Sequence, residues 1–382
     1  MTVLMRDVTG LMDRWYPPSL ASDWDAVGLV CGDPEAEVRR VLLAVDPAPA
    51  VVEEALGWEA DLVVVHHPLL LEGVHSVAAT TPKGRVVHDL VRGGCGLFAA
   101  HTNADAPAGG VNESLAHALG LADPAVIVPD PSDPLDKLVT FVPQESAEEV
   151  RAAITAAGAG RIGDYDSCTF TAEGEGRFRP LDGAHPTIGR VGEVEVVAES
   201  RVEAVFPRGR RAAVVSALRA VHPYEEPAFD VLELADLPTM GRAARGSGRI
   251  GRLSAPMTLR DFADHVAKVL PRTAHGVRVG GDPDRVVETV AVTSGAGDFL
   301  LDTVLGTDAD VYVTSDLRHH RAAEFLEHRG PALVDVAHWA AEWTWLPVLE
   351  RLLMEEVGAR GDTVDVRVST TITDPWTFRG AE

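Results

Sequence analysis

Short apolar runs alternate with amphipathic stretches over the first third of the chain. The apolar runs predict strands at residues 38–45, 62–65 and 96–100, and the amphipathic stretches predict helices that begin at Pro47, Pro82 and Asn112. Because single helices separate consecutive strands, we expect right-handed crossovers and a mostly parallel sheet. Residues 1–132 are therefore predicted to form an α/β lobe.

The last third of the chain repeats this rhythm. A helix is predicted at residues 258–270, and strands are predicted at residues 286–292, 310–313, 332–336 and 364–368. Residues 253–382 thus predict a second α/β lobe that is similar to the first and again has a mostly parallel sheet.

The middle of the chain has a different pattern, in which strands and helices follow the order β-α-β-β-α-β. This order predicts an inserted α+β module of the ferredoxin-like kind over residues 133–236. Residues 237–252, which are rich in Gly and Arg, are predicted to form the linker back to the second lobe.

Composition narrows the possible partners and the compartment. The 382 residues carry 58 acidic and 34 basic side chains, for a formal charge of −24, which disfavours nucleic acid and anionic membranes as partners. No run approaches the roughly 18 apolar residues that a spanning helix needs, and the first residues do not predict a secretion signal. Cysteines 31, 95 and 168 are odd in number and widely spaced, so a reducing cytoplasm is expected.

Polar side chains that can bind metal ions follow three predicted strands. His66 and His67 end the first run, His101 and Asp105 follow another, and His338 follows a third with Glu342 four residues later. Imidazoles and carboxylates are ligands of zinc, iron and manganese. Ligands just past the carboxyl ends of strands predict a metal site in an α/β protein.

Each of these residues also has an ordinary structural interpretation. The adjacent histidines could cap a strand by hydrogen bonds, and Asp105 could form a turn or cap a helix. His338 and Glu342 share a helix face, which nearby tryptophans indicate to be packed rather than solvated. His101 could be a ligand, a hydrogen-bonding partner of a ligand, or a proton carrier.

Two further stretches follow strands of the second lobe. Asp316 could be the N-cap of the next helix, and His320 could act as an acid or base. The turn from Ser294 to Gly297 could bind an anion such as a phosphate through its amides, although tight-turn geometry also explains its glycines.

Together these residues resemble the Nif-three-like dinuclear-metal family, whose members are often named GTP cyclohydrolase 1 type 2 homologues. The resemblance extends in order along the whole chain, including its middle third. The motifs that carry it are Trp24-Asp25-Ala-Val-Gly28-Leu29, Val65-His66-His67-Pro68, Ala100-His101-Thr102-Asn103-Ala-Asp105, His222-Pro-Tyr-Glu-Glu226-Pro, Gly295-Ala-Gly297, Thr314-Ser-Asp316 and Asp335-Val-Ala-His338-Trp-Ala-Ala-Glu342.

The resemblance implies two divalent metal ions per subunit and five ligands. His67 and Asp105 would hold one ion, His66 and His338 would hold the other, and Glu342 would bridge them. The resemblance also implies a homohexameric ring, and it identifies the inserted module as similar to PII and CutA proteins.

Three functions are compared on this basis. The first is a metal-dependent hydrolase of a nucleotide or other phosphorylated small molecule; the family name implies opening of the GTP ring, with His101, His320 or Glu342 moving protons. The second is a non-catalytic metal-binding scaffold or regulator that binds a protein or small-molecule signal. The third, a nucleic-acid-binding factor, is disfavoured by the charge.

Overall fold

The computed structural model describes residues 2–130, 134–162, 165–235 and 245–380. Contacts within the chain divide it into two compact units, one formed by Met1–Asp130 with Gly241–Glu382 and the other by Pro131–Met240. Each unit is described by itself. No helix in the described parts of the chain is both long and apolar enough to cross a bilayer.

The strands in these described ranges are β1 (Gly28–Cys31), β2 (Arg40–Ala44), β3 (Leu62–Val65), β4 (Gly96–Ala99), β5 (Leu121–Pro129), β6 (Leu135–Pro143), β7 (Thr169–Phe178), β8 (Glu195–Pro207), β9 (Phe229–Glu233), β10 (Gly246–Thr258), β11 (Val277–Gly280), β12 (Val286–Ala296), β13 (Val311–Ser315), β14 (Ala332–Val336) and β15 (Asp365–Val368). The α-helices are α1 (Met5–Trp15), α2 (Pro49–Gly57), α3 (Pro82–Gly93), α4 (Thr102–Asp105), α5 (Val111–Ala118), α6 (Ala147–Ala156), α7 (Arg211–Val221), α8 (Leu259–Val269), α9 (Leu301–Val304), α10 (His319–Glu327), α11 (His338–Trp343) and α12 (Leu346–Ala359).

The first unit contains a five-stranded sheet in the order β1-β4-β3-β2-β15. All of its pairings are parallel except the one between β1 and β4. The prediction that residues 364–368 belong to the second lobe is wrong, because β15 pairs with β2 from Asp365 opposite Arg40 to Val368 opposite Leu43. Strand β15, from the last third of the chain, is therefore an edge strand of the sheet formed by β1 to β4.

The second sheet of this unit has six strands in the order β11-β14-β13-β12-β10-β5. Only β12–β13 and β13–β14 are parallel pairs, so the prediction of a mostly parallel second sheet is wrong. The prediction of a linker is wrong from Gly246 onward, because these residues form strand β10. Residues 237–244 of the predicted linker lie outside the described parts of the chain. The pattern of β10 is polar and glycine-rich, but pairing with β5 and β12 overrides that local composition.

One apolar core lies against both sheets of the first unit. It takes buried side chains from β2, β3, β12 and β14 and from helices α1, α5, α8, α11 and α12. Trp345 is fully buried there, and its indole N–H donates to the Tyr16 hydroxyl at 3.0 Å. The packed tryptophans predicted after β14 are confirmed for Trp339 and Trp345, and this packing holds α11 firmly in place.

The second unit has the element order β6-α6-β7-β8-α7-β9. Its four strands form an antiparallel sheet in the order β7-β8-β6-β9. Buried apolar residues of β6 and β8 pack with those of α6 and α7 in a core of their own, which includes Leu138, Ile154, Phe206 and Leu218. The unit therefore has the separate core that an inserted domain needs.

Candidate metal centre

Three strand ends position the predicted ligands. His66 and His67 directly follow β3, and His101 follows the neighbouring parallel strand β4, so their side chains meet at one edge of the five-stranded sheet. Asp105 ends the short helix α4. His338 and Glu342 lie on α11, which follows β14 of the other sheet.

The carboxylate of Glu342 lies at the centre of the cluster. Its Oε1 is 2.8 Å from Nε2 of His338 and 3.4 Å from Nε2 of His66, and its Oε2 is 3.1 Å from Nε2 of His67. Oδ1 of Asp105 lies 3.7 Å from Nε2 of His66. The structure thus brings together the five side chains that the resemblance implies as ligands.

His101 lies against the same group. Its imidazole ring centre is 5.1 Å from that of His66 and 5.5 Å from that of His67. Two sets of three side chains are close enough to share a metal ion, because one nitrogen or oxygen atom of each lies within 4.8 Å of the others. The first set is His66, His67 and His101, and the second is His67, His338 and Glu342. His67 is common to both sets, whereas the resemblance pairs it with Asp105, and the division of ligands between two ions stays a prediction.

Each histidine of the cluster is oriented by a bond at Nδ1. The partners are the Ala100 carbonyl for His66 (2.9 Å), Asp46 for His67 (2.7 Å), Asp25 for His101 (2.9 Å) and Asp316 for His338 (2.7 Å). For the three histidines that face Glu342, Nε2 is the nitrogen turned toward its carboxylate. Metal-binding histidines in proteins are held in this way, with the second ring nitrogen on a carboxylate or carbonyl.

Three of these partners are carboxylates whose contacts with histidines were not predicted. Asp25 was named only as part of the family motif that begins at Trp24, and Asp46 was not singled out, although it closely follows strand β2 as the other site residues follow theirs. Asp316 is not an N-cap, because α10 is preceded by Arg318 as its N-cap. Asp316 instead has a left-handed backbone, with φ of +58°, and contacts His338.

The charges of the cluster favour bound cations. Burial alone would lower the pKa of His67, but Glu342 and Asp46 outweigh it and raise that pKa to about 10. His338 behaves likewise, since Glu342 and Asp316 raise its pKa to about 11 against the effect of burial. Burial would raise the pKa of Glu342, yet the histidines facing it hold it well below its usual range. The site therefore attracts positive charge, which can be protons or metal ions.

Two carboxylate oxygens show that the residues present fit a metal ion. Oδ1 of Asp105 and Oε2 of Glu342 are both buried, and in the described parts of the chain neither receives a well-directed hydrogen bond, although Nε2 of His67 lies 3.1 Å from Oε2 of Glu342. Burial raises the pKa of Asp105 to about 7. A buried acceptor without a partner costs free energy, and a cation between these oxygens and the imidazoles would compensate for it.

Gly295 lets the backbone of β12 approach the cluster. Its φ is +66°, and a Cβ at this position would lie 2.9 Å from Oε1 of Glu342 and 3.3 Å from Nε2 of His338. The amide of the neighbouring Ser294 already donates to Oδ1 of Asn112 at 2.8 Å. Close approach to the ligands, rather than capture of an anion, accounts for this glycine.

A cavity of about 480 Å³ opens beside the cluster. His101, Asp105, His338 and Glu342 line one side of it. Trp24 and Phe299 also line it, although 59% of Trp24 and 60% of Phe299 are exposed. Large apolar side chains left exposed beside buried polar groups are typical of a ligand site.

The structure does not place His320 with the other predicted site residues. It is exposed on the first turn of α10, and its ring lies 5.2 Å from that of His319. No contact among the described residues joins His320 to the histidine and carboxylate cluster. Its spacing after β13 placed it near the correct end of the sheet but could not predict the direction of its side chain.

The chain matches the Duf34/NIF3 (NGG1p interacting factor 3) family over residues 3–375. It belongs to this family. The family membership predicted from the motifs is thereby confirmed.

Relatives of this family are similar over nearly their whole length. A protein of Mycobacterium tuberculosis named GTP cyclohydrolase 1 type 2 homolog is 52% identical over 377 residues, which are 98% of this chain and 97% of that protein. One of Bacillus subtilis with the same name is 39% identical and covers 98% of each chain. The crystal structure of a Bacillus cereus protein related to NIF3 matches with a TM-score of 0.78 and 36% identity, over 99% of this chain and 100% of that one.

Proposed function

We propose that this protein binds two divalent cations at the cluster and is a metal-dependent hydrolase of a nucleotide or other phosphorylated small molecule. The ligands would be His66, His67, Asp105, His338 and Glu342. The observation that carries the proposal is the convergence of oriented imidazoles on the buried carboxylates of Glu342 and Asp105. The name shared by the relatives supports the choice of a nucleotide.

When bound, a pair of divalent cations would polarise a phosphoryl or carbonyl oxygen and increase the acidity of water. The proposed ligands lie at the end of β3 and on the helices α4 and α11, so the fold itself sets their geometry. The metal could be zinc, iron or manganese, because mixed imidazole and carboxylate ligands suit all three.

His101 is the residue best placed to accept a proton. Burial and the neighbouring His66 lower its pKa, so its ring is neutral near pH 7. Asp25 accepts from Nδ1 at 2.9 Å, which leaves the lone pair of Nε2 free to act as a base at the cavity. Glu342 is enclosed by three imidazoles and is better suited to ligation, and His320 does not line this cavity.

The proposal is tested with the full chain stripped of metal and reloaded with zinc, manganese or ferrous ions. Elemental analysis should find about two ions per chain, and hydrolysis should be measured on a panel that includes GTP, other nucleotides and phosphomonoesters. We expect His67→Ala to abolish turnover while the fold survives. The exposed His88 provides the matched control, and His88→Ala should keep wild-type turnover.

The opposite result has a clear meaning. If the metal-loaded protein turns over no compound of the panel, the hydrolase is refuted and the non-catalytic scaffold or regulator is favoured. The homohexameric ring, the PII-like or CutA-like character of the inserted unit and the cytoplasmic location stay predictions from the sequence; light scattering after size-exclusion chromatography tests the first of them.

A further inference from the structure

The second unit contains a cavity of its own. We name it the insert cavity; it has a volume of about 290 Å³ and is lined by residues at the end of β7, in the β7–β8 connection and in the turn after α7. Phe178, Pro180, Ile188 and Tyr224 form apolar walls, and Glu199 of β8 contributes a carboxylate. An apolar cavity with a few polar groups is the usual form of a small-molecule site.

Glu199 is a buried carboxylate. Only 8% of the residue is exposed, and its Oε1 accepts a hydrogen bond from the Tyr224 hydroxyl at 2.7 Å. Arg201, two residues further along β8, pairs with Glu203 instead, at 2.8 Å. Within the described residues, no arginine or lysine forms an ion pair with Glu199, so its carboxylate is left to pair with a bound cation.

The backbone is shaped to hold this carboxylate. Gly176 lies beneath it on β7, and a Cβ at that position would come within 2.1 Å of Oε2 of Glu199. Any larger residue at position 176 would displace the carboxylate. Because Gly176 has no side chain, the Glu199 carboxylate can lie at the cavity wall.

The motif His222-Pro-Tyr-Glu-Glu226-Pro positions the aromatic wall. Nε2 of His222 donates to the Phe141 carbonyl at 3.0 Å, and its Nδ1 accepts from the Tyr224 amide at 3.2 Å. Both ring nitrogens are thus used to fix the turn that carries Tyr224. The ring of Tyr224 lies 5.5 Å from that of Phe178, at an interplanar angle of 59°. The two rings form one side of the insert cavity.

The β7–β8 connection is tied over the cavity from the other side. The amide of His185 donates to Oε2 of Glu225 at 2.9 Å, and the Thr187 hydroxyl donates to the Pro223 carbonyl at 2.7 Å. These bonds join the connection to the turn after α7. They give the cavity a preformed wall rather than an open groove.

We propose that the insert cavity binds a small organic ammonium ion. Aromatic faces and a buried carboxylate are the groups that recognise such a cation, the rings through their negative faces and the acid through its charge. Glu225 and Glu226 add negative charge at the lining, and the lining arginine Arg177 is already paired with Glu175 at 2.7 Å. The exposed Arg179 also belongs to the lining.

The test compares two probes of the same shape by isothermal titration calorimetry on the full-length protein. 2-Phenylethylamine carries the charge at pH 7, and 2-phenylethanol does not. We expect the amine to bind one site per chain, at least about 10-fold more tightly than the alcohol, which is the size of a cation–π and carboxylate contribution. Glu199→Gln should remove this preference, whereas Glu342→Gln at the metal centre should keep it.

A second variant guards against a folding defect in Glu199→Gln. Phe178→Leu keeps an apolar wall but removes an aromatic face, so it should weaken binding of the amine and leave the alcohol unchanged. The exposed Glu148 offers a matched control, and Glu148→Gln should bind both probes as the wild type does. Equal binding of amine and alcohol, no binding of the amine, or loss of binding in Glu342→Gln alone would each overturn the proposal.

Discussion

Replacing Glu342 by glutamine is the sharpest test of the metal centre. Glutamine keeps the length and shape of the side chain but removes the charge that three imidazoles face. Because packing of α11 does not depend on that charge, we expect the fold to survive. The affinity of the variant for metal should be lower than that of the wild type.

The structure sets the size of the effect. One unit charge placed 2.8 Å from the carboxylate, as Nε2 of His338 is, interacts by about 332/(20 × 2.8), or ~6 kcal/mol, at an effective dielectric constant of about 20. Desolvation offsets part of this, and removing one partner of a buried charge pair costs about 3–5 kcal/mol in practice. The affinity for a divalent cation should therefore fall by roughly 150- to 4,000-fold.

Two assays measure this loss. Competition with a chromophoric chelator gives the dissociation constant directly, and thermal unfolding with and without metal gives the linked stabilisation. At a free metal concentration of 100 times the wild-type Kd, one site stabilises the wild type by about 2.7 kcal/mol. A 100-fold weaker site would stabilise the Glu342→Gln variant by only ~0.4 kcal/mol at the same concentration.

Glu356→Gln is the matched control. Glu356 lies on the surface of α12 and pairs with Arg14 at 3.3 Å, an exposed pair worth only about 0–1 kcal/mol. This variant should bind metal as the wild type does. If Glu342→Gln instead keeps the wild-type affinity and the full metal-induced stabilisation, Glu342 is not a ligand and the proposed centre is refuted.

Four further predictions follow from the same geometry. Because the metal-free pKa values of His67 and His338 are raised to about 10 and about 11, metal binding near neutral pH should release protons and strengthen as the pH rises; calorimetry in buffers of different ionisation enthalpy measures this, and a pH-independent affinity contradicts it. Protonation of His67 and His338 also stabilises the metal-free fold, and this stabilisation is complete below about pH 6.5, the ordinary pKa of histidine. The unfolding free energy of the metal-free protein should therefore decline as the pH rises toward 10. Asp46→Asn should weaken metal binding about 10- to 100-fold by releasing Nδ1 of His67, with chelator competition as the measurement and unchanged affinity as the contrary result. Gly295→Ala and Gly361→Ala, at φ of +66° and +78°, should each lower the unfolding free energy by about 1–2 kcal/mol. Only Gly295→Ala should also lose metal, since nothing lies within 4 Å of a Cβ at Gly361. Equal metal affinity of the two variants would contradict the close-approach argument.

Local pattern was sufficient to place the candidate ligands along the chain. Apolar runs that end in His66, His101 or His338 are visible without any structure, because the buried strands of a parallel sheet are continuously hydrophobic and their polar ends stand out. The helical spacing of His338 and Glu342 likewise predicts a shared face. Strand ends and helix faces are properties of a few consecutive residues, so the sequence by itself determined them.

Long-range pairing was decided only by the tertiary structure. β15 joins the first sheet and β5 joins the second, which no local pattern predicts because strand partners are chosen by packing against the rest of the fold. Asp25, Asp46 and Asp316 become partners of histidines for the same reason, at separations of 76, 21 and 22 residues. The sequence does not distinguish an aspartate that contacts a histidine from one that does not, and only the folded chain shows which imidazole each carboxylate orients.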